Sequence, residues 1–391
     1  MLGFGPSRFV VLLASVLKPV DDTRMRGKFA ETLLERPYID VHVAGRATPA
    51  AGTDDNSSRI QAHAIFQGTR LSLGRLAAQW QYVALLLRLN PGLVVVHAPE
   101  LLPLTVLWSW LGRGHRFVYD IRENYALNVA TQQVYSGAVR RWLAAGLRWV
   151  ETWAARQAGG LILAESSYAD ELPFLTEQPA SRVVVLENKY QPPAGEAPPA
   201  RPQRLPPPEQ PLRLLYSGTI SELNGVLEAI AFSDRLRWAW PGGATLTIIG
   251  FCQQPALLQQ LRQAVEINAD WLTLIGGDEL VPHARIVAEI SWSHLGLLPY
   301  RPHPSSERCR PTKLFEYLAH GLPVITSPNA LWQELVRQHG AGLQLDFAQP
   351  FDGPALVAQL RNQRFYPNGI SRDVLWVEES KKLWLLLDSL V

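Results

Sequence analysis

Lys313 and Glu316 stand one helical turn apart in Pro311-Thr312-Lys313-Leu314-Phe315-Glu316-Tyr317. Pro311 and Thr312 read as a helix start, so this spacing sets an ammonium beside a carboxylate. Gly321 reads as the C-cap, and Pro323 opens an apolar strand. A surface salt pair on an amphipathic helix has the same spacing, and the pair taken alone reads that way. A second candidate is Tyr216–Gly225, YSGTISELNG. Gly218 lets backbone approach a ligand. Gly225 opens the next helix, whose N-terminal amides and dipole favour an anion such as a diphosphate. An ordinary strand–turn–helix would also carry these glycines. No G-K-[ST] follows, so the loop is not a P-loop.

The first half of the chain offers a different set. Arg24 and Lys28 open a helical stretch and suit either phosphate contact or a basic solvated face. His97 closes the apolar run Leu93–Val96, at a strand's carboxyl end. An imidazole there can orient a hydroxyl or be a hydrogen-bonded structural histidine. Asp120 and Glu123 follow the strand around Phe117–Tyr119 and suit a general base or an acidic helix start, with Arg122 between them.

These residues need elements that bring them to one edge. The chain has 391 residues, 47% hydrophobic and 18% charged, with net charge +2 and two cysteines. That length predicts two domains, and the apolar fraction excludes global disorder. The charge leaves no nucleic-acid footprint. Cys252 and Cys309 cannot build a disulfide framework, which fits a reducing compartment such as the cytoplasm. Phe9–Leu17 reads as a first strand rather than a signal peptide, and Leu101–Gly112 is too short to cross a bilayer.

Eight of the twenty residues in 191–210 are proline, which predicts an extended linker. It separates a first domain, 1–190, from a second, 211–370, with a closing helix in 371–391. Each half alternates short β-branched runs with amphipathic stretches, the pattern of a parallel sheet covered by helices. In the first half strands are expected near Phe9–Leu17, Ile39–Ala44, Leu93–His97, Arg116–Asp120, Gly160–Ala164 and Arg182–Leu186. In the second they are expected near Leu212–Ser217, Ala244–Ile249, Leu272–Ile275, Leu295–Pro299, Pro323–Thr326 and Ala341–Gln344. The fold class is α/β: two Rossmann-like doubly wound domains facing a central cleft, with ligands outside the carboxyl ends of the strands.

The run Pro311–Tyr317, followed by Gly321-Leu322-Pro323-Val324-Ile325, resembles the donor-site helix of glycosyltransferase family 4. Those are retaining enzymes of the two-domain GT-B fold. The Tyr216–Gly225 loop resembles that family's donor diphosphate loop. Asp22-Thr23-Arg24 through Lys28, His97-Ala98-Pro99-Glu100 and Tyr119-Asp120-Ile121-Arg122-Glu123 are similar to its cleft-edge loops. The resemblance implies a nucleotide-sugar donor, UDP- or GDP-linked, held by Gly218, Thr219, Asn224, Gly225, Arg308, Arg310, Lys313, Leu314 and Glu316. It implies that Glu316 binds the ribose hydroxyls, since a carboxylate accepts two hydrogen bonds from a vicinal diol. His97, Asp120, Glu123 and Lys313 become the catalytic candidates. Arg24, Lys28 and Arg122 become acceptor or cleft residues. The acceptor would be a glycan or lipid-linked saccharide, with room for peripheral contact with the inner face of a membrane.

The sequence departs from the family at three places. Arg308 stands where many members carry an acidic residue, eight positions before Glu316. Thr219 and Asn224 stand where many carry an Arg and a Lys. Arg308, Arg310 and Lys313 can supply that positive charge instead. The chain has no D-x-D and no close His/Cys cluster, so neither metal nor resident cofactor is expected. Two other functions fit the same pattern: a GT-B sugar-nucleotide epimerase, and a non-catalytic nucleotide-binding module. Val139–Arg156 mixes Arg140, Arg141 and Arg148 with Trp142, Trp149 and Trp153. That suits a membrane-surface helix, but a domain helix whose tryptophans fill the core is the preferred reading.

Overall fold

The period of two along the strands fixes the architecture. The structure is a computed structural model that describes residues 8–48, 59–68, 72–131, 137–193, 195–199 and 201–390. In β1 (Phe9–Pro19), Leu12, Ala14 and Val16 face one apolar cluster, while Val11 and Leu13 face another. A strand buried on both faces must lie inside a sheet with helices above and below. Contacts divide the chain into two units, 1–191 with 376–391, and 192–375. Positions 194 and 200 of the Pro-rich segment lie outside the described residues, as do 1–7 before β1.

The first unit continues with β2 (Ile39–Arg46), β3 (Ile60–Phe66), β4 (Leu93–Val96), β5 (Arg116–Ile121), β6 (Gly160–Leu163) and β7 (Val183–Val185). They form one parallel sheet in the order β3-β2-β1-β4-β5-β6-β7. One face is covered by the helices Gly74–Leu89, Leu102–Leu111 and Gly137–Ala155. The other is covered by Met25–Leu33 and by the last helix, Trp376–Asp388. Trp376 is buried on Phe29, and its indole N–H donates to Thr32 Oγ1 at 2.9 Å. Strand β3 was not foreseen. Nor was the wide, i→i+5 turn over Met25–Ala30, where an α-helix from Arg24 was expected.

The second unit holds β8 (Leu212–Ile220), β9 (Ala244–Cys252), β10 (Leu272–Gly277), β11 (Leu295–Leu298), β12 (Val324–Thr326) and β13 (Gly342–Gln344). All pair in parallel, in the order β10-β9-β8-β11-β12-β13. Both sheets therefore reverse direction beside their first strand, between β1 and β4 and between β8 and β11. In a doubly wound sheet that reversal opens a crevice at the carboxyl ends of the strands.

Candidate functional site

At the reversal in the second unit, Gly218 and Gly225 take φ of +92° and +75°, a region closed to most side chains. A Cβ on Gly225 would overlap the Pro299 carbonyl oxygen, so the loop after β8 lies directly against the end of β11. Asn224 ties the loop shut: its Nδ2 donates to the Thr219 carbonyl at 3.0 Å, and its backbone N–H to Ser221 Oγ at 3.1 Å. The helix Val226–Ala239 starts immediately afterwards. Thr219 faces solvent.

The helix Thr312–Ala319 supplies the charged groups. Leu314, Phe315, Tyr317, Leu318 and Ala319 are all buried, so it is a core helix rather than a surface amphipathic one. Lys313 is buried too. Its ammonium lies over the rings of Tyr216 (4.8 Å), midway along β8, and Tyr300 (5.1 Å), just past the end of β11. A Cβ on Gly218 would sit 3.5 Å from Lys313 Nζ, which places the ammonium against the carboxyl-terminal end of β8. Nζ has no hydrogen-bond partner among the described residues. Burial pushes the Lys313 amine down to about 7, against the opposing pull of the Glu316 carboxylate.

Glu316 does not close a surface salt pair with Lys313. Its Oε1 lies 2.8 Å from His283 Nε2, on the first turn of the helix His283–Trp292. His320, one turn on, is buried beside the same carboxylate. Tyr317 OH joins the helix to β8 through Ser217 Oγ at 2.9 Å and the Ser217 N–H at 3.2 Å. Arg310 reaches Glu334 at 3.5 Å, and Arg308 is exposed. Arg301, absent from the sequence candidates, instead braces the loop through Glu228 (2.6 Å) and Glu222 (3.5 Å).

At the matching reversal in the first unit, three candidates form one buried cluster. Arg24 donates to both oxygens of Asp120, at 2.8 and 2.7 Å, and to Leu186 O and Asn188 Oδ1 at 2.9 Å. His97 Nδ1 lies 2.7 Å from Asp120 Oδ2. Burial alone would raise the Asp120 carboxyl, but the Arg24 guanidinium and the His97 contact hold it well below the usual range. Burial pushes the His97 imidazole down, outweighing Asp120, which favours the neutral ring. With Nδ1–H directed at Asp120, Nε2 is left as an acceptor that no described residue occupies. Arg122 is held by Asp22 at 2.8 and 3.1 Å. Lys28 is buried with its amine over Trp376, and Glu123 pairs with Lys18 at 3.2 Å. Glu123 is the most open of these carboxylates.

No family model matches the sequence. A glycogen synthase of Mycobacterium tuberculosis is 28% identical over 245 residues, which are 62% of this chain and 55% of that protein. The chain thus spans about half the length of the curated relatives it matches. Among solved structures, Anabaena HepE in complex with UDP aligns over 97% of this chain and 100% of that one, with a TM-score of 0.60 and 14% identity. Sucrose-phosphate synthase from Thermosynechococcus elongatus aligns over 98% and 99%, at 0.62 and 16%. WaaG, a glycosyltransferase involved in lipopolysaccharide biosynthesis, aligns over 98% of both chains, at 0.57 and 15%. At these identities the likeness is one of fold: two parallel-sheet α/β domains of the GT-B kind.

Proposed function

We propose that this chain is a glycosyltransferase that moves a sugar from a UDP- or GDP-linked donor to a hydroxyl of a glycan or lipid-linked saccharide. The reaction would serve polysaccharide or glycoconjugate synthesis. The observation that carries the reading is Lys313, a buried ammonium with no partner among the described residues, set against Gly218 near the carboxyl end of β8 at the sheet reversal. A cation left unmatched in a buried place suits an incoming anion, and a nucleoside diphosphate offers one. Glu316, on the same helix, suits the ribose diol.

In this reading the second unit holds the donor and the first presents the acceptor. The bond from the anomeric carbon to the diphosphate breaks with the electron pair leaving on phosphate. Lys313, the loop amides and the helix after Gly225 stabilise that charge without a metal. The transition state is oxocarbenium-like, and configuration at the anomeric carbon is retained. His97, oriented by Asp120, offers Nε2 to a sugar hydroxyl, while Glu123 is the first-unit carboxylate best placed to take a proton. The relatives' printed ligand and names, UDP for HepE and synthase for two others, agree with a nucleotide-sugar enzyme. Cys252 and Cys309 are not disulfide-linked, which suits the cytoplasm.

The test is a screen of UDP- and GDP-sugars with the full chain, followed by Glu316→Ala. Loss of two hydrogen bonds to a charged group predicts a fall in kcat/KM of roughly 10- to 100-fold. Full activity in that variant would refute the ribose assignment. Calorimetric binding of UDP or GDP with no turnover would favour a non-catalytic module, and conversion of the donor sugar without acceptor would favour an epimerase.

A further inference from the structure

The helices Gly74–Leu89, Leu102–Leu111 and Gly137–Ala155 cover one face of the first sheet, and their outer sides are unusual. Along Gly137–Ala155 the exposed residues Val139, Trp142, Leu143, Gly146 and Trp149 recur every three or four positions, in one stripe. Only Glu151, Ala154 and Ala155 of this helix are fully buried. The expectation that its tryptophans fill the core fails for Trp142, 80% exposed, and Trp149, 68% exposed, and holds for Trp153, which is partly buried against the core cluster. The neighbouring helix exposes Leu107, Trp110 and Leu111, and Trp110 meets Trp153 edge to face at 6.0 Å. Trp153 in turn stacks parallel to Trp149 at 6.4 Å. Leu76, Trp80 and Leu87 extend the same pattern on Gly74–Leu89. All three helices pack on one core cluster, so these stripes face outward from a single layer.

Charge selects the partner. Residues 73–90, 102–116 and 137–156 contain one carboxylate, Glu151, and it is fully buried. The same stretches carry Arg88, Arg113, Arg116 and Arg141 exposed, with Arg140 half-buried, while the exposed Arg156 is matched by Glu177 at 2.9 Å. A protein partner matching so many indoles would bury them flat against apolar side chains, and it would need no arginine excess. Indoles mixed with guanidinium groups and stripped of carboxylates fit the interface of an anionic bilayer, where rings sit at headgroup depth and arginines meet phosphates. No described helix is long and apolar enough to cross a membrane, so the layer would lie on the surface.

We infer that this helix layer is a docking face for an anionic lipid bilayer. The inference rests on these helices alone and is independent of the proposed transfer reaction. The full chain should co-sediment with vesicles of equal parts phosphatidylcholine and phosphatidylglycerol, with a blue shift in tryptophan emission, and bind phosphatidylcholine alone far less. Added salt should weaken binding. Trp142→Ser with Trp149→Ser should weaken it about tenfold or more. Arg140→Glu with Arg141→Glu should weaken it by roughly fivefold per charge and abolish the preference for anionic lipid. Trp142, Trp149 and Arg141 are exposed and Arg140 is half-buried, so an unchanged circular dichroism spectrum and Tm identify folded variants. Any of three results overturns the inference. These are no binding to anionic vesicles, equal binding by the folded variants, and self-association of the free chain that the tryptophan changes abolish.

Discussion

Lys313 sets the pH behaviour of the donor site. Its amine, pushed down to about 7 by burial, is half protonated near neutrality when the site is empty. A diphosphate beside it favours the charged form and raises that value. Below about 7 the cation is already present. Above it, each binding event must take up a proton, so UDP affinity should fall as pH rises through 7 towards the ordinary lysine range. Calorimetry in buffers of different ionisation enthalpy reads that uptake directly, and Lys313→Met should remove it along with most of the affinity. Arg24 makes a separate prediction. Among the described residues it is the only arginine or lysine that donates to the buried Asp120, so Arg24→Met should cost about 3–5 kcal/mol in denaturant unfolding. The folded Asp120 value is depressed. Its contribution to stability is therefore present above the unfolded carboxyl range and is lost only as pH falls through the lower folded value.

At the scale of elements, the loop after β8 depends on a backbone that glycine alone adopts without strain. Gly225→Ala should disrupt it, through positive φ and overlap with Pro299, at about 3 kcal/mol or more. Loss of donor binding should accompany the fall in Tm. The elements were largely legible in the sequence because a parallel sheet needs continuous apolar strands, and LVVV at 93–96 admits few other readings. Gly218 near the end of β8, Gly225 after it and the Thr312–Ala319 helix were also legible from local residue types. What failed was whatever depends on residues distant in sequence. Arg24, His97 and Asp120 were each singled out, yet their union across 96 residues has no spacing rule. His283 was missed as the partner of Glu316, 33 positions away. Strand β3, IQAHAIF, was missed because alanine and histidine dilute its alternation. The burial of Lys313 ran against the usual surface pairing of lysine, and only the packing around its helix reveals it.

At the scale of the whole molecule, the first unit is discontinuous in sequence. Trp376, Leu383, Leu386 and Leu387 return to fill the cluster that also holds Met25, Phe29 and Leu33. Removing residues 376–391 should strip one face of the first sheet. A fragment ending at residue 191 should bind a hydrophobic dye and show a Tm lower by several degrees or no cooperative melt, and a peptide of residues 376–390 should restore it. The second unit, 192–375, is continuous and carries its own core. Biosynthesis therefore meets the two units in an inverted order. The half translated earlier must wait, one flank bare to chaperones, while the later half can mature as it leaves the ribosome. Only when the final helix emerges does the earlier half become whole.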